Sequence, residues 1–86
     1  MDSELDIATA GLRRTIGRHV KELRHERNLD NNVRFALMCK ISRPYLVHIE
    51  KGDVNITMKV LVQLAAALDV EPYQLLVPYD DGKAER

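Results

Sequence analysis

Apolar side chains recur along this chain at the three- and four-residue spacing of helices, and no segment alternates as a half-buried strand would. The first apolar stripe predicts a helix from Gly11 to about residue 27. It consists of Leu12, Ile16, Val20 and Leu23. Four more helices are predicted, at residues 31–39, 42–52, 57–68 and 71–77. The pattern therefore predicts an all-α fold, a compact five-helix bundle.

The second and third predicted helices are short and are joined by a tight turn. Asn31 and Ser42 are good N-caps for them. The turn between them contains no glycine, so Lys40 is expected in the left-handed conformation that glycine adopts more readily. Pro44 falls in the first turn of the third helix, where its missing N–H interrupts no hydrogen bond. Helices of about eight residues are unstable alone, so this pair is expected to pack on the others as a helix-turn-helix.

Each helix after the first has an expected buried face. The inward residues are expected to be Val33, Phe35, Ala36 and Cys39 in the second helix, Leu46 and Ile49 in the third, and Leu61, Leu64, Ala65, Leu68, Leu75 and Leu76 in the last two. Thr57 caps the fourth helix, and Gly52 ends the third. The third helix is left with an outward face formed by Arg43, Pro44, Val47 and His48, and function is expected there.

The length of 86 residues and a hydrophobic content of 45% indicate one folded domain with a single modest core. Residues 1–11 are expected to form an acidic N-terminal arm or a short helical extension. Residues 12–79 form the predicted helix-turn-helix domain, and residues 80–86 a frayed polar tail. A chain of this size has little room for a large catalytic cleft.

Charge is unevenly distributed although the chain is neutral overall. Residues 1–11 carry three acids and no base, for −3. Residues 12–51 carry ten Lys/Arg and four Asp/Glu, for +6, and residues 52–86 carry three and six, for −3. Zero net charge argues against a nucleic-acid partner, whereas a basic block that coincides with the helix-turn-helix favours one. The alternative for the basic residues of the first helix is an ordinary solvated face.

Several other classes of protein are not expected. Cys39 is the lone cysteine, so neither an internal disulfide nor a cysteine-rich zinc site can form, and packing is a better explanation for it than redox sensing. His19 and His25 lack companions at ligand spacing, so no metal is expected. Neither a nucleophile motif nor a glycine-rich phosphate loop is present, so no enzyme and no cofactor are expected. Without a secretory signal or a membrane-spanning run, a cytoplasmic protein is expected.

With these residues placed, the chain resembles the Cro/phage-repressor type of helix-turn-helix protein, the XRE family, whose domain is lambda-repressor-like. The resemblance extends from about residue 12 to residue 77. It rests on a spaced set of residues: Leu23-Arg24, Phe35-Ala36, Ile41-Ser42, Tyr45-Leu46, Ile49-Glu50-Lys51-Gly52, Leu61, Leu64-Ala65, Ala67-Leu68, Val70 and Leu75-Leu76. Each pair alone is weak evidence, but the whole set in register is specific.

The resemblance implies roles for individual residues. Arg43, Pro44, Val47 and His48 match positions that face base edges in the major groove. Asn32, Tyr45, Lys51, Asn55 and Lys59 match positions that contact the DNA backbone. Arg24 and Glu50 match an ion pair that fixes the first helix against the recognition helix. Such a pair orients the motif and does not touch bases.

This sequence departs from the family pattern at two places within the motif. Lys40 replaces the turn glycine, and Pro44 lies at a position where a polar, base-contacting residue is common. Because Pro44 cannot donate a hydrogen bond, base reading falls on its neighbours. Arg43 suits a bidentate contact with guanine O6 and N7, with a phosphate contact as the rival interpretation, and Val47 suits a thymine methyl. His48 either donates or accepts at a base edge or is simply an exposed residue.

The resemblance also implies partners. One recognition helix reads about half a site, so a homodimer on a near-palindromic operator in double-stranded DNA is expected. The candidate interface residues are Val60, Val62, Tyr73, Val77 and Tyr79. Stand-alone domains of this type are phage-type repressors or restriction–modification controller proteins in bacteria and phages. RNA polymerase is a further expected partner if such a regulator activates transcription. The alternative is an antitoxin or another protein-interaction module with the same fold, whose partner would be a toxin or another protein.

Overall fold

The computed structural model describes residues 3–79, and within that range it contains helices and no strand. Four α-helices are present: α1 (Ser3–Glu26), α2 (Asn32–Cys39), α3 (Arg43–Lys51) and α4 (Met58–Leu68). A single 3-10 helix, Pro72–Leu76, follows them. The all-α fold is as predicted, but the count of five α-helices is wrong.

The last predicted helix is a 3-10 turn because the chain gives it too little length. Pro72 starts it, and Pro78 disfavours helical conformation at Val77, which is extended at φ −69° and ψ 123°. Five residues remain between these limits, and short runs favour the tighter 3-10 hydrogen bonding. The backbone N–H of Glu71 donates to the Gln74 side chain, which secures the first turn.

The first helix is longer than the apolar stripe predicts. It begins at Ser3, so the predicted start at Gly11 is wrong. Glu4 and Asp6 lie in its first turn, where negative charge interacts favourably with the helix dipole. Leu5, Ala8 and Ala10 are good helix formers, and two glycines, Gly11 and Gly17, do not stop a helix that is otherwise favourable. The predicted frayed tail, residues 80–86, lies outside the described residues.

The helix-turn-helix follows its local sequence signals closely. The side chain of Asn31 accepts from the backbone N–H of Arg34, and the hydroxyl of Ser42 accepts from that of Tyr45. Lys40 has φ 62° and ψ 40°, the predicted left-handed conformation. Gly52 ends α3 at φ 78°, also as predicted. The capping residues Asn31 and Ser42 therefore fix where α2 and α3 begin, and the left-handed residues Lys40 and Gly52 fix where they end.

The core lies where α1, α3 and α4 meet α2 and the 3-10 helix. Its buried apolar residues are Ile16, Val20, Phe35, Ala36, Cys39, Leu46, Ile49, Leu64, Ala65, Leu68 and Leu75. The Nε2 of Gln63 donates to the carbonyl oxygen of Cys39 at 2.7 Å, so α4 also holds the end of α2. Val33 was expected inside and is 52% exposed, because it lies two residues from Phe35 and so on the opposite side of α2.

Gly17 allows α1 and α3 to approach closely. A Cβ atom at this position would lie 2.4 Å from the carbonyl oxygen of Ile49 and 2.8 Å from that of Glu50. Both atoms belong to the backbone of α3, so neither can move aside without moving the helix. This contact sets the distance between α1 and α3.

Gly17→Ala is therefore expected to lower the free energy of unfolding by about 2 kcal/mol or more, because α3 must shift to accept the methyl group. Gly11→Ala is the matched control in the same helix. Its Cβ would meet nothing closer than 3.9 Å, and alanine should stabilise the helix by about 0.5–1 kcal/mol. Urea unfolding of the two variants measures the difference. Equal effects of the two substitutions would contradict the close approach.

Candidate nucleic-acid interface

The helix α3 is anchored on one side and exposed on the other. Leu46 and Ile49 are buried in the core. Arg43, Pro44 and His48 are exposed, while Val47 is half-buried. The structure therefore brings the four predicted base-contacting residues to one helix, with three of them open to solvent. Arg43 and Pro44 occupy the first two positions of α3, beside the Ser42 cap.

The buried ion pair of Arg24 and Glu50 joins α1 to the end of α3. Nε of Arg24 donates to Oε2 of Glu50 at 2.8 Å, and a terminal guanidinium nitrogen donates to Oε1 at 3.0 Å. The other terminal nitrogen donates to the carbonyl oxygens of Leu29 at 3.0 Å and Asp30 at 2.8 Å. Arg24 is 5% exposed, and its guanidinium lies over the Phe35 ring. One side chain thus ties together α1, the α1–α2 connection, α2 and α3.

His48 is paired within its own chain. Its Nδ1 lies 3.0 Å from Oδ1 of Asp53, the second residue beyond the helix. This contact leaves Nε2 as the ring nitrogen that remains for a ligand. Sequence reasoning placed His48 on the outward face but missed Asp53, because the pair forms only once Gly52 turns the chain back.

The loop between α3 and α4 is held from two sides. Nε of Arg13 donates to Oδ1 of Asn55 at 2.8 Å, across 42 residues of sequence. The hydroxyl of Tyr45 donates to the carbonyl oxygen of Asn55 at 3.4 Å. Two of the predicted backbone-contacting residues, Tyr45 and Asn55, are therefore adjacent. Arg13 joins them, although no local signal in the sequence links it to this loop.

The remaining predicted backbone-contacting residues lie at helix ends around this loop and the motif. Asn32 begins α2 and is half-buried. Lys51 ends α3, and Lys59 lies in the first turn of α4. Both lysines are exposed. Four of the five predicted backbone contacts, including Tyr45 and Asn55, therefore lie on α3, on the loop after it or at the start of α4.

The predicted interface residues near the C-terminus fall into two groups. Val62, Tyr73 and Val77 are exposed, at 53%, 66% and 48%, and Val60 is half-buried. Tyr79 instead packs on α1 of its own chain.

The contacts of Tyr79 hold the C-terminal segment against α1. Its ring stacks on His19 with centroids 4.4 Å apart, and its hydroxyl donates to Glu22 at 3.0 Å. The Arg18 guanidinium lies 3.8 Å above the ring. The hydrogen bond from Arg18, which has the larger effect, and the one from Tyr79 together hold the pKa of Glu22 below its usual range.

Cys39 is buried, and that burial raises the pKa of its thiol to about 11. A thiol with this pKa is almost entirely protonated at neutral pH, so packing explains Cys39 better than redox sensing does.

Among residues 3–79, no three His, Cys, Asp or Glu side chains are grouped so as to hold a metal ion. In the same range no helix has the length and apolarity to cross a membrane.

With this geometry in place, comparison with known proteins identifies the family. The Helix-turn-helix family model matches residues 20–75, which is most of the chain and includes α2, α3 and α4. This chain belongs to the helix-turn-helix family. The match confirms the resemblance to the Cro/XRE type of DNA-binding transcription regulator.

The proteins to which this chain is similar include a control protein, a restriction–modification controller protein and a transcription factor. Control protein C.BamHI from Bacillus amyloliquefaciens is 28% identical over 68 residues, which cover 79% of this chain and 84% of that protein. The crystal structure of the controller protein C.AhdI from Aeromonas hydrophila superposes with a TM-score of 0.71 and 29% identity, over 77% of this chain and 94% of that one. A hypothetical transcription factor, NHTF, from Neisseria gives a TM-score of 0.75 and 27% identity, over 87% and 85%. This helix-turn-helix protein is therefore similar to DNA-binding regulators over most of its length.

Glu50→Ala is expected to lower the free energy of unfolding by about 3 kcal/mol, because the buried Arg24 guanidinium would lose its counter-charge. Glu26→Ala is the control, since Glu26 pairs with Arg27 at 3.7 Å on the surface and should change stability by less than about 1 kcal/mol. Chemical unfolding monitored by circular dichroism compares the two. A loss at Glu50 no larger than at Glu26 would show that the buried pair does not fix α3.

Proposed function

We propose that this helix-turn-helix protein binds a near-palindromic operator as a homodimer, with α3 in the major groove. The observation that carries the proposal is the construction of α3. Leu46 and Ile49 anchor one side in the core, while Arg43 and His48 extend from the other side. A helix fixed in this way presents a few side chains to base edges in a defined register.

The outward face of α3 reads bases through a small set of groups. Arg43 donates two hydrogen bonds to guanine O6 and N7. Val47 contacts a thymine methyl group, and His48 forms one hydrogen bond to a base edge. Pro44 shapes the start of the helix and offers no donor. Specificity is therefore concentrated on Arg43, Val47 and His48.

Phosphate contacts hold the protein in place on the duplex. They come from Asn32, Tyr45, Lys51, Asn55 and Lys59, and the hydrogen bond from Arg13 to Asn55 adds Arg13 to this set. The net charge of +6 over residues 12–51 supports this assignment. Contacts of this kind supply affinity and register without reading sequence.

A second copy of the chain completes the site. Two α3 helices separated by one turn of DNA, roughly 34 Å, read the two halves of the operator. The side chains of Val62, Tyr73 and Val77 are exposed and Val60 is half-buried, and these apolar groups support self-association through the α4 end. Tyr79 is held on α1 of its own chain by stacking on His19.

Within the family, the role we propose is that of a restriction–modification controller or a phage-type repressor acting in a bacterial cytoplasm. The similarity to C.BamHI and C.AhdI supports the controller role. Such a protein represses transcription when it covers a promoter. It activates transcription when it binds just upstream and contacts RNA polymerase. The alternative is an antitoxin or another module that holds a protein such as a toxin, and the observation that favours it is zero net charge.

The salt dependence of binding to random duplex separates these functions. A DNA-binding regulator should lose affinity as salt is added, with a slope of several units in a plot of log affinity against log salt concentration, whereas a slope near zero would point to a protein partner.

Arg43→Ala should weaken binding to the selected operator by about 1–3 kcal/mol and relax the preference at one base position. Lys59→Ala is the control for a phosphate contact and should weaken binding equally at all sequences and lower the slope by about one. Uniform weakening by Arg43→Ala would reassign Arg43 to phosphate.

Sedimentation tests the dimer in the same set of experiments. Dimers are expected at concentrations on the order of tens of micromolar, and Val62→Glu should shift them to monomers by burying an unpaired charge. Ile7→Glu adds the same charge at an exposed position outside the proposed interface and should leave the dimer intact. Only monomers in the unmodified protein would contradict the dimer.

A further inference from the structure

The pair formed by His48 and Asp53 lies on the face of α3 to which we assign base reading. His48 Nδ1 and Asp53 Oδ1 are 3.0 Å apart, and each side chain is about half exposed, at 51% and 50%. An exposed pair of this kind adds little to stability. Its geometry nevertheless determines which atoms of the imidazole remain for a partner.

The backbone places Asp53 accurately beside His48. Gly52 adopts φ 78°, and the backbone N–H groups of Gly52 and Asp53 both donate to the carbonyl oxygen of His48, at 3.1 and 3.2 Å. Asp53 thus contacts His48 through both its main chain and its side chain. The turn that ends α3 therefore also positions the carboxylate.

An ionised carboxylate can only accept hydrogen bonds. The ring nitrogen that faces it, Nδ1, must then carry the hydrogen. In a neutral imidazole the other nitrogen, Nε2, has a lone pair and acts as an acceptor. Without Asp53, nothing in this contact would favour one tautomer over the other.

We propose that Asp53 is a positioning residue for DNA specificity, which fixes the Nδ1–H tautomer of His48 so that Nε2 accepts a hydrogen bond from a base. The acceptor selects a base with an exocyclic amino group in the major groove, adenine N6 or cytosine N4. Guanine and thymine offer only acceptors there and are disfavoured. This inference rests on the proposed entry of α3 into the major groove.

The chain contains a matched pair that serves as a control. His25, at the end of α1, has Asp30 as its partner five residues on, as His48 has Asp53. Asp30 lies in the connection before α2 and not on α3. Asp53→Asn and Asp30→Asn therefore make the same chemical change beside a histidine, and only the first should affect base preference.

The test selects binding sites from a random DNA pool at pH 8 with the full chain and three variants. The unmodified protein should prefer adenine or cytosine at one position of each half-site, by about fivefold, the size of one neutral hydrogen bond. His48→Ala identifies that position by losing its preference. Asp53→Asn should reduce the preference to less than about twofold, because an amide can donate as well as accept. Asp30→Asn should leave the selected sequence unchanged.

Ring nitrogen chemical shifts of His48, measured by NMR at the same pH, report the tautomer directly. The unmodified protein and Asp30→Asn should show the Nδ1–H form, and Asp53→Asn should show a mixture of both forms. A merely structural role for Asp53 would not change this signal in a folded protein.

Three results would overturn the inference. They are an imidazolium or Nε2–H signal in the unmodified protein at pH 8, a preference for guanine or thymine at the His48 position, and an unchanged preference in Asp53→Asn. Selection of no sequence at all by the unmodified protein would instead refute the proposed function. The NMR measurement would still decide whether Asp53 fixes the tautomer.

Discussion

The rest of this structure depends on the hydrogen bonds made by one buried guanidinium group, that of Arg24. Arg24 is 5% exposed, and burial of an unpaired charge would be prohibitive. Its hydrogen bonds go to the Glu50 carboxylate and to two carbonyl oxygens of the α1–α2 connection. All of these partners are satisfied at once only when α3 lies in one orientation on α1. The close approach at Gly17 sets the distance between the same two helices, so the ion pair and the glycine constrain α3 together.

The helix that we propose for DNA recognition, α3, needs this constraint because it is too short to hold its own shape. With nine residues, α3 depends on buried Leu46 and Ile49 for position and on Ser42 and Gly52 for its ends. Its remaining surface is then available for contacts with DNA. The pairs Arg13–Asn55 and His48–Asp53 extend the same principle to the loop after α3, where side chains are held by neighbours and not left mobile. Pre-organisation of this kind lowers the entropy lost on binding.

Sequence reasoning succeeded where the controlling chemistry is local. The caps Asn31 and Ser42 and the left-handed Lys40 each depend on residues within one turn of the chain. The contact between Arg24 and Glu50 was predicted from the family resemblance and not from periodicity. The apolar stripe alone did not predict the start of α1 at Ser3, because such a stripe marks where a helix is buried and not where it begins. Sequence reasoning also missed the bond from Arg13 to Asn55, since 42 residues separate them and only the packed fold brings them together.

Amide hydrogen exchange of the full chain, with and without a duplex selected from a random pool, tests the central claim most directly. If α3 enters the groove and the flanking loop holds the backbone, DNA should slow exchange at the start of α2, in the first half of α3 and in the loop around Asn55. The interior of α1, already held by the core, should change little. Protection confined to α1 or to the exposed face of α4, with α3 unchanged, would contradict the account.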